Sequence, residues 1–202
     1  MANTQVVEPI HEYKKWHIGY TASAHINVIQ AFQIEAGHAI KESLELTLNS
    51  GYIYGINSGN LHKGVRLRPA LRYIFGGGEN SSLYLDLGYL YRFDQSKQIR
   101  DFNVGVNLTE TSEVTLKRKL TSPILIFGGR GKINNSFYMD GGVGFGFSSN
   151  FNVYLEGKPE GALELIDENE FTLFRNFFRE QNGSFPVAIW HLKIIYKFNF
   201  TS

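Results

Sequence analysis

The chain has 202 residues, with 20 Lys+Arg against 19 Asp+Glu, and a formal charge of +1 argues against a nucleic-acid binder held by phosphate contacts. It contains no cysteine, which excludes disulfides, thiol nucleophiles and Cys-ligated zinc or iron–sulfur centres. No apolar run approaches the length of a transmembrane helix, whereas 21 Gly with 16 Phe and 11 Tyr, and only 19% charged residues, fit a chain of short strands and turns.

Residues 1–27 show no apolar stretch after a basic start, so no secretory signal is visible in the chain. Either the protein is cytosolic or Met1-Ala2 replaces a cleaved signal peptide, and the strand pattern has to decide. A short extra strand at 16–24 is possible. From Val28 onward the dominant signal is period two, the repeat of a strand with two unlike faces. Strands are expected near 28–40, 43–56, 62–76, 82–94, 99–108, 115–128, 136–148 and 187–199. Within them Leu44, Leu46, Leu48, Tyr52 and Tyr54 alternate with Glu45, Thr47, Asn49 and Gly51. Val65, Leu67, Leu71, Tyr73 and Phe75 oppose Arg66, Arg68, Ala70 and Arg72, a grouping of arginines that a helix would scatter. Leu83 to Phe93 and Trp190 to Phe198 repeat the logic, and Phe137, Met139, Val143, Phe145 and Phe147 alternate with Asp140, Gly142, Gly144 and Gly146. Turn clusters fall at Ile56–Asn60, Gly76–Ser82, Asp94–Gln98, Thr109–Glu113 and Gly128–Ser136. The expected fold is all-β: an eight-stranded antiparallel transmembrane barrel over 28–200, with ten strands as the alternative count and 1–27 as a periplasmic segment.

Two closed barrels show this alternation. A soluble one turns its apolar face inward and holds a small apolar ligand; an outer-membrane one turns it toward lipid. Three features favour the second. Aromatic rings sit at strand ends, where girdles meet the headgroups. The polar rows carry ions that would pair across a narrow interior: Glu35, Glu45, Asp86 and Asp140 against Arg66, Arg68, Arg72, Arg92, Lys193 and Lys197. No second layer is visible to cover so much Leu, Tyr and Phe. On this reading arginine at Leu87 or Ile194 costs about 2–4 kcal/mol at mid-bilayer.

The loop 149–186 is the longest. Asp167-Glu-Asn-Glu170 reads as a cap and acidic first turn. Phe171, Phe174 and Phe178 recur at helical spacing with Phe177 beside them, which predicts an amphipathic helix over 167–181 on the extracellular side. These phenylalanines would cap the barrel mouth, dock another membrane protein or lie at the lipid interface.

Three sets of stretches carry a likeness to a known group: Phe32-Gln-Ile-Glu-Ala-Gly-His-Ala-Ile40 and Leu44-Glu-Leu-Thr-Leu48; Lys63-Gly-Val-Arg-Leu-Arg-Pro-Ala-Leu-Arg-Tyr73; and Met139-Asp-Gly-Gly-Val-Gly-Phe-Gly146 with Leu192-Lys-Ile-Ile-Tyr-Lys-Phe198. In these the chain resembles the small outer-membrane β-barrel proteins widespread in Bacteroidota, many of them domains of unknown function. The resemblance implies an outer-membrane location and a closing strand ending in aromatics, here Phe198 and Phe200. It implies no settled activity.

Catalytic and ligand motifs are weak. Gly128-Gly-Arg-Gly-Lys132 lacks the first glycine and the final Ser/Thr of a phosphate loop and reads as a turn. The histidines show no metal-ligand spacing. His38 with Ser43, or His62 with Ser58, are the pairs a lipid-modifying enzyme would need, yet neither has an evident orienting carboxylate. The expectation is a non-enzymatic barrel without cofactor or metal, acting as a structural, accessory or adhesion subunit. Membrane lipid, and another outer-membrane protein met through 149–186, are its expected partners.

Overall fold

The computed structural model describes residues 15–25, 31–57, 60–78, 80–105, 108–164 and 183–199. Its strands are β1 (Trp16–Thr21), β2 (Ala31–Lys41), β3 (Leu44–Asn57), β4 (Asn60–Gly78), β5 (Ser81–Gly105), β6 (Leu108–Lys132), β7 (Phe137–Glu156), a two-residue β8 (Leu163–Glu164) and β9 (Gly183–Phe198). Excluding β8, these make an eight-stranded ring in which every pairing is antiparallel. The ring closes where β1 meets β9, from Trp16↔Phe198 to Thr21↔Lys193. Closure leaves no free edge in the membrane span, where unpaired backbone groups would find no water.

Side chains alternate around the whole ring, as in β2, where residues 31–37 switch between buried and exposed at each step. Outward-facing positions are apolar: Leu46, Leu48, Leu71, Leu87, Leu125, Val143 and Ile194 are all exposed. On β4 this band runs from Val65 to Phe75. Ten steps of about 3.4 Å, tilted by about 40°, give a height near 26 Å, which matches the hydrocarbon thickness a barrel must span. Rings gather at both rims. Tyr73 stacks on Phe75 and Tyr196 on Phe198 at the end where the chain closes; Tyr20 meets Phe32 at the other. No described helix is long and apolar enough to cross a membrane; the crossing is made by strands.

The strand count matches the expectation, but its composition differs. Residues 16–21 are a barrel strand, so the barrel starts at Trp16 and not at 28. The segment is short, and its inward positions His17, Gly19 and Thr21 give little apolar contrast. Conversely, 99–108 is not a separate strand. Asp94–Gln98 continues β5 and Thr109–Glu113 lies within β6, so the pair is one long hairpin. Its polar residues resemble turns because both faces of a strand outside the membrane can meet water. Gly128–Lys132 likewise finishes β6, with Gly128 facing inward where a Cβ would strike the Tyr84 ring. Finally, β7 and β9 extend into the expected 149–186 loop, leaving 157–182 between them. The helix expected at 167–181, with Phe171, Phe174, Phe177 and Phe178, lies outside the described residues.

Beyond Lys97, the last β5 residue paired with β4, the β5–β6 hairpin continues as a ribbon to Gly105. Eight further residues at about 3.4 Å carry it roughly 27 Å past the wall. The returning loop packs on it: β8 pairs with Phe102 and Asn103, and Ala162 joins Phe102, Val114 and Leu116 in a small buried cluster.

Candidate functional site in the barrel interior

The inward face is a polar interior built in two tiers. In the tier nearer the chain ends, Arg72 on β4 is fully buried and touches four carboxylates. Its Nε and Nη2 donate to Asp86 on β5 at 2.6 and 3.0 Å, and Nη1 donates to Asp140 on β7 at 3.1 Å. Glu35 on β2 and Glu45 on β3 stand 3.6 and 3.8 Å away. Every one of these acids has a second cation. Arg130 on β6 forks onto Glu45 at 3.0 and 3.1 Å, and Lys193 on β9 donates to Glu35 at 2.7 Å. Arg68 lies 3.7 Å from Glu35 and 3.9 Å from Asp86. Lys197, nearer the rim, lies 3.6 Å from Glu45.

Such burial is tolerable only because the charges are paired, since removing an ion from water costs several kcal/mol unless a partner restores it. Neutral groups complete the site. The Tyr84 ring lies 4.0 Å beneath the Arg72 guanidinium, its hydroxyl donates to Asp140 at 2.7 Å, and His191 Nε2 sits 2.9 Å from both. Glycines make this room. A Cβ at Gly37 would land on the His17 ring, and one at Gly142 would press on Tyr84, His191 and Ile126.

Above this tier one wall is aliphatic, with Leu90, Leu120, Ile124 and Ile126 in contact. Beyond it lies the second tier. Asp94 on β5 accepts from Arg92 Nε at 2.8 Å and from Arg118 Nε at 3.1 Å, with Arg118 Nη2 also bonded to it. Further along β5, Arg100 donates to Gln98 at 2.9 and 2.7 Å, and Gln98 donates to Ser96 at 2.8 Å.

All ten ionic residues expected inside face the interior, but not in one cluster. Glu35, Glu45, Arg68, Arg72, Asp86, Asp140, Lys193 and Lys197 meet in the first tier; Arg66 and Arg92 stand in the second. Sequence reasoning missed Arg130 and Asp94, which fall in stretches that read as turns, and Arg118 and His17, although all four lie on inward registers; Tyr84 falls on the expected inward row of β5 but has no part in the expected ionic cluster. His38 faces outward with its ring 4.2 Å from Trp16, and His62 is buried on β4. Ser58 lies outside the described residues, and Ser43 sits in an exposed turn. No group of described residues could hold a metal ion.

Two solved structures are similar to this chain. The N-terminal β-barrel domain of Pseudomonas aeruginosa OprF is 12% identical, with a TM-score of 0.44 over 92% of this chain and 98% of that one. A major outer membrane protein from Thermus thermophilus is 14% identical, with a TM-score of 0.56 over 93% of this chain and 100% of that one. At such identity the second likeness speaks for the fold: this is the fold of an outer-membrane β-barrel. No protein-family model matches the sequence, and no curated protein matches it either.

Proposed function

We propose that the protein is a non-conducting, non-enzymatic barrel of the bacterial outer membrane that serves as a structural, accessory or adhesion subunit and presents its extracellular ribbon to a partner. The observation that supports this reading is the Arg72 hub: Glu35, Arg72, Asp86 and Asp140 are 0% exposed and bonded across the interior from β2, β4, β5 and β7. An eight-stranded ring is just wide enough to be filled in this way.

Support for the outward-directed role comes from the ribbon. Ile99 near its base, Leu108 at its tip and Leu163 on the β8 strand paired with it are 72%, 62% and 74% exposed, an apolar display that lies beyond the lipid band. The resemblance to barrels of Bacteroidota rests on sequence pattern and adds a place without a reaction. Planar-bilayer recording of the purified barrel tests the sealed interior. The expected trace stays at baseline at neutral pH, and a steady ohmic current would overturn the reading.

A further inference from the structure

The two tiers differ in charge balance. Four carboxylates serve Arg68, Arg72, Arg130, Lys193 and Lys197 in the first tier, whereas in the second, among the described residues, Asp94 serves Arg92 and Arg118 while Arg66 stands opposite Arg92. Arg66 and Arg92 are direct cross-strand partners in the β4–β5 register, both on inward rows. Their Cβ atoms are therefore about 5 Å apart, a like-charge pairing that destabilises a sheet when nothing sits between. Asp94 cannot neutralise both, because it already accepts from Arg92 and Arg118. Among the described residues the Arg66 side chain makes no ion pair. Arg66 Nε and Arg92 Nη2 are both buried without a hydrogen-bond partner. Opposite Arg66 on β3 stands Gly51, which offers no side chain and where a Cβ would crowd Arg66 Cγ at 2.9 Å.

We infer that Arg66 and Arg92 form a binding site for a small free oxyanion of the phosphate or sulfate class, entering from the extracellular mouth. The chemistry follows from the donors. Two guanidinium groups supply planar forks that match oxyanion geometry, and Asp94 fixes Arg92 through Nε so that its Nη2 end stays available. A lipid headgroup is excluded because both arginines point into the ring, away from the apolar band. Access is from one side only. Arg66 and the 14% exposed Arg92 side chain keep contact with solvent, whereas Arg72 below them has none.

The test is thermal unfolding of the refolded barrel in detergent, titrated with sodium sulfate or inorganic phosphate against sodium chloride at matched ionic strength. A ligand that binds only the folded state raises the midpoint saturably. The expected result is a saturable rise with sulfate and phosphate but not chloride, with apparent affinity weakened about tenfold or more in Arg66→Gln and in Arg92→Gln. An equal response to chloride, or an unchanged sulfate response in both variants, would overturn the site. Should either variant fail to fold, the 31P line width of phosphate with the wild-type barrel decides. Broadening relieved by sulfate supports the site, and a line indifferent to the protein refutes it.

Discussion

The tier around Arg72 and the tier around Asp94 both pair buried arginines with carboxylates, yet they solve burial differently. In the first, bonds join residues far apart in sequence: Lys193 to Glu35 across 158 positions and Arg130 to Glu45 across 85. They tie the late strands β6 and β9 to the early strands β2 and β3. In the second, the bonds run along β5 or between β5 and β6, over 2 to 24 positions. Distant acids and bases converge only if the ring is closed in the correct register, so the first tier reports on global closure. The bonds of the second belong to one hairpin that is already adjacent in the chain. Similar chemistry therefore acts as a lock in one place and as a local, cation-rich lining in the other.

The largest effect should come from breaking the lock. Arg72→Met leaves Asp86, Asp140 and Glu35 buried with fewer partners, and removing one member of such a pair typically costs about 3–5 kcal/mol. Loss of the heat-resistant compact band on unboiled SDS gels, or a lowered urea midpoint in micelles, would report it. An unchanged midpoint would mean that the hub does not hold the barrel. Arg118→Met should be milder, about 1–2 kcal/mol, because Arg92 continues to bond Asp94. If it proved as costly as Arg72→Met, the distinction between the tiers would fail. Smallest of all is removal of the ribbon, replacing 99–112 by a two-residue turn while retaining Val114 and Leu116. The barrel midpoint should stay within error of wild type, since β4 pairing ends at Lys97. Any extracellular partner should be lost with the ribbon, and a collapse of the barrel would show that the ribbon belongs to the core.

Period-two alternation made the fold and the inward ionic rows legible, because a transmembrane strand must be apolar on one side and can be polar on the other. The same rule explains the misreadings. It weakens where a strand leaves the membrane, so Asp94–Gln98 and Thr109–Glu113 resembled turns although they continue β5 and β6. It weakens too in a six-residue strand such as β1, whose inward side carries only His17, Gly19 and Thr21. One strand added at 99–108, and one at 16–24 read only as a possible extra, cancelled in the count of eight. Separation of the arginines into two tiers was not readable at all. It depends on stagger between strands, which places Arg72 opposite Asp86 but Arg66 opposite Arg92.

An inside-polar barrel requires the leucine and aromatic rows to face hydrocarbon and the arginines to face the axis. The chain has no cysteine, so single cysteines at the exposed Leu87 and Ile194 can each carry an environment-sensitive fluorophore in lipid vesicles. The expected result is strong quenching by mid-chain brominated lipid, with none from aqueous iodide, at positions 87 and 194. Quenching by iodide at those two positions, with none from brominated lipid, would contradict the inside-polar, outside-apolar barrel.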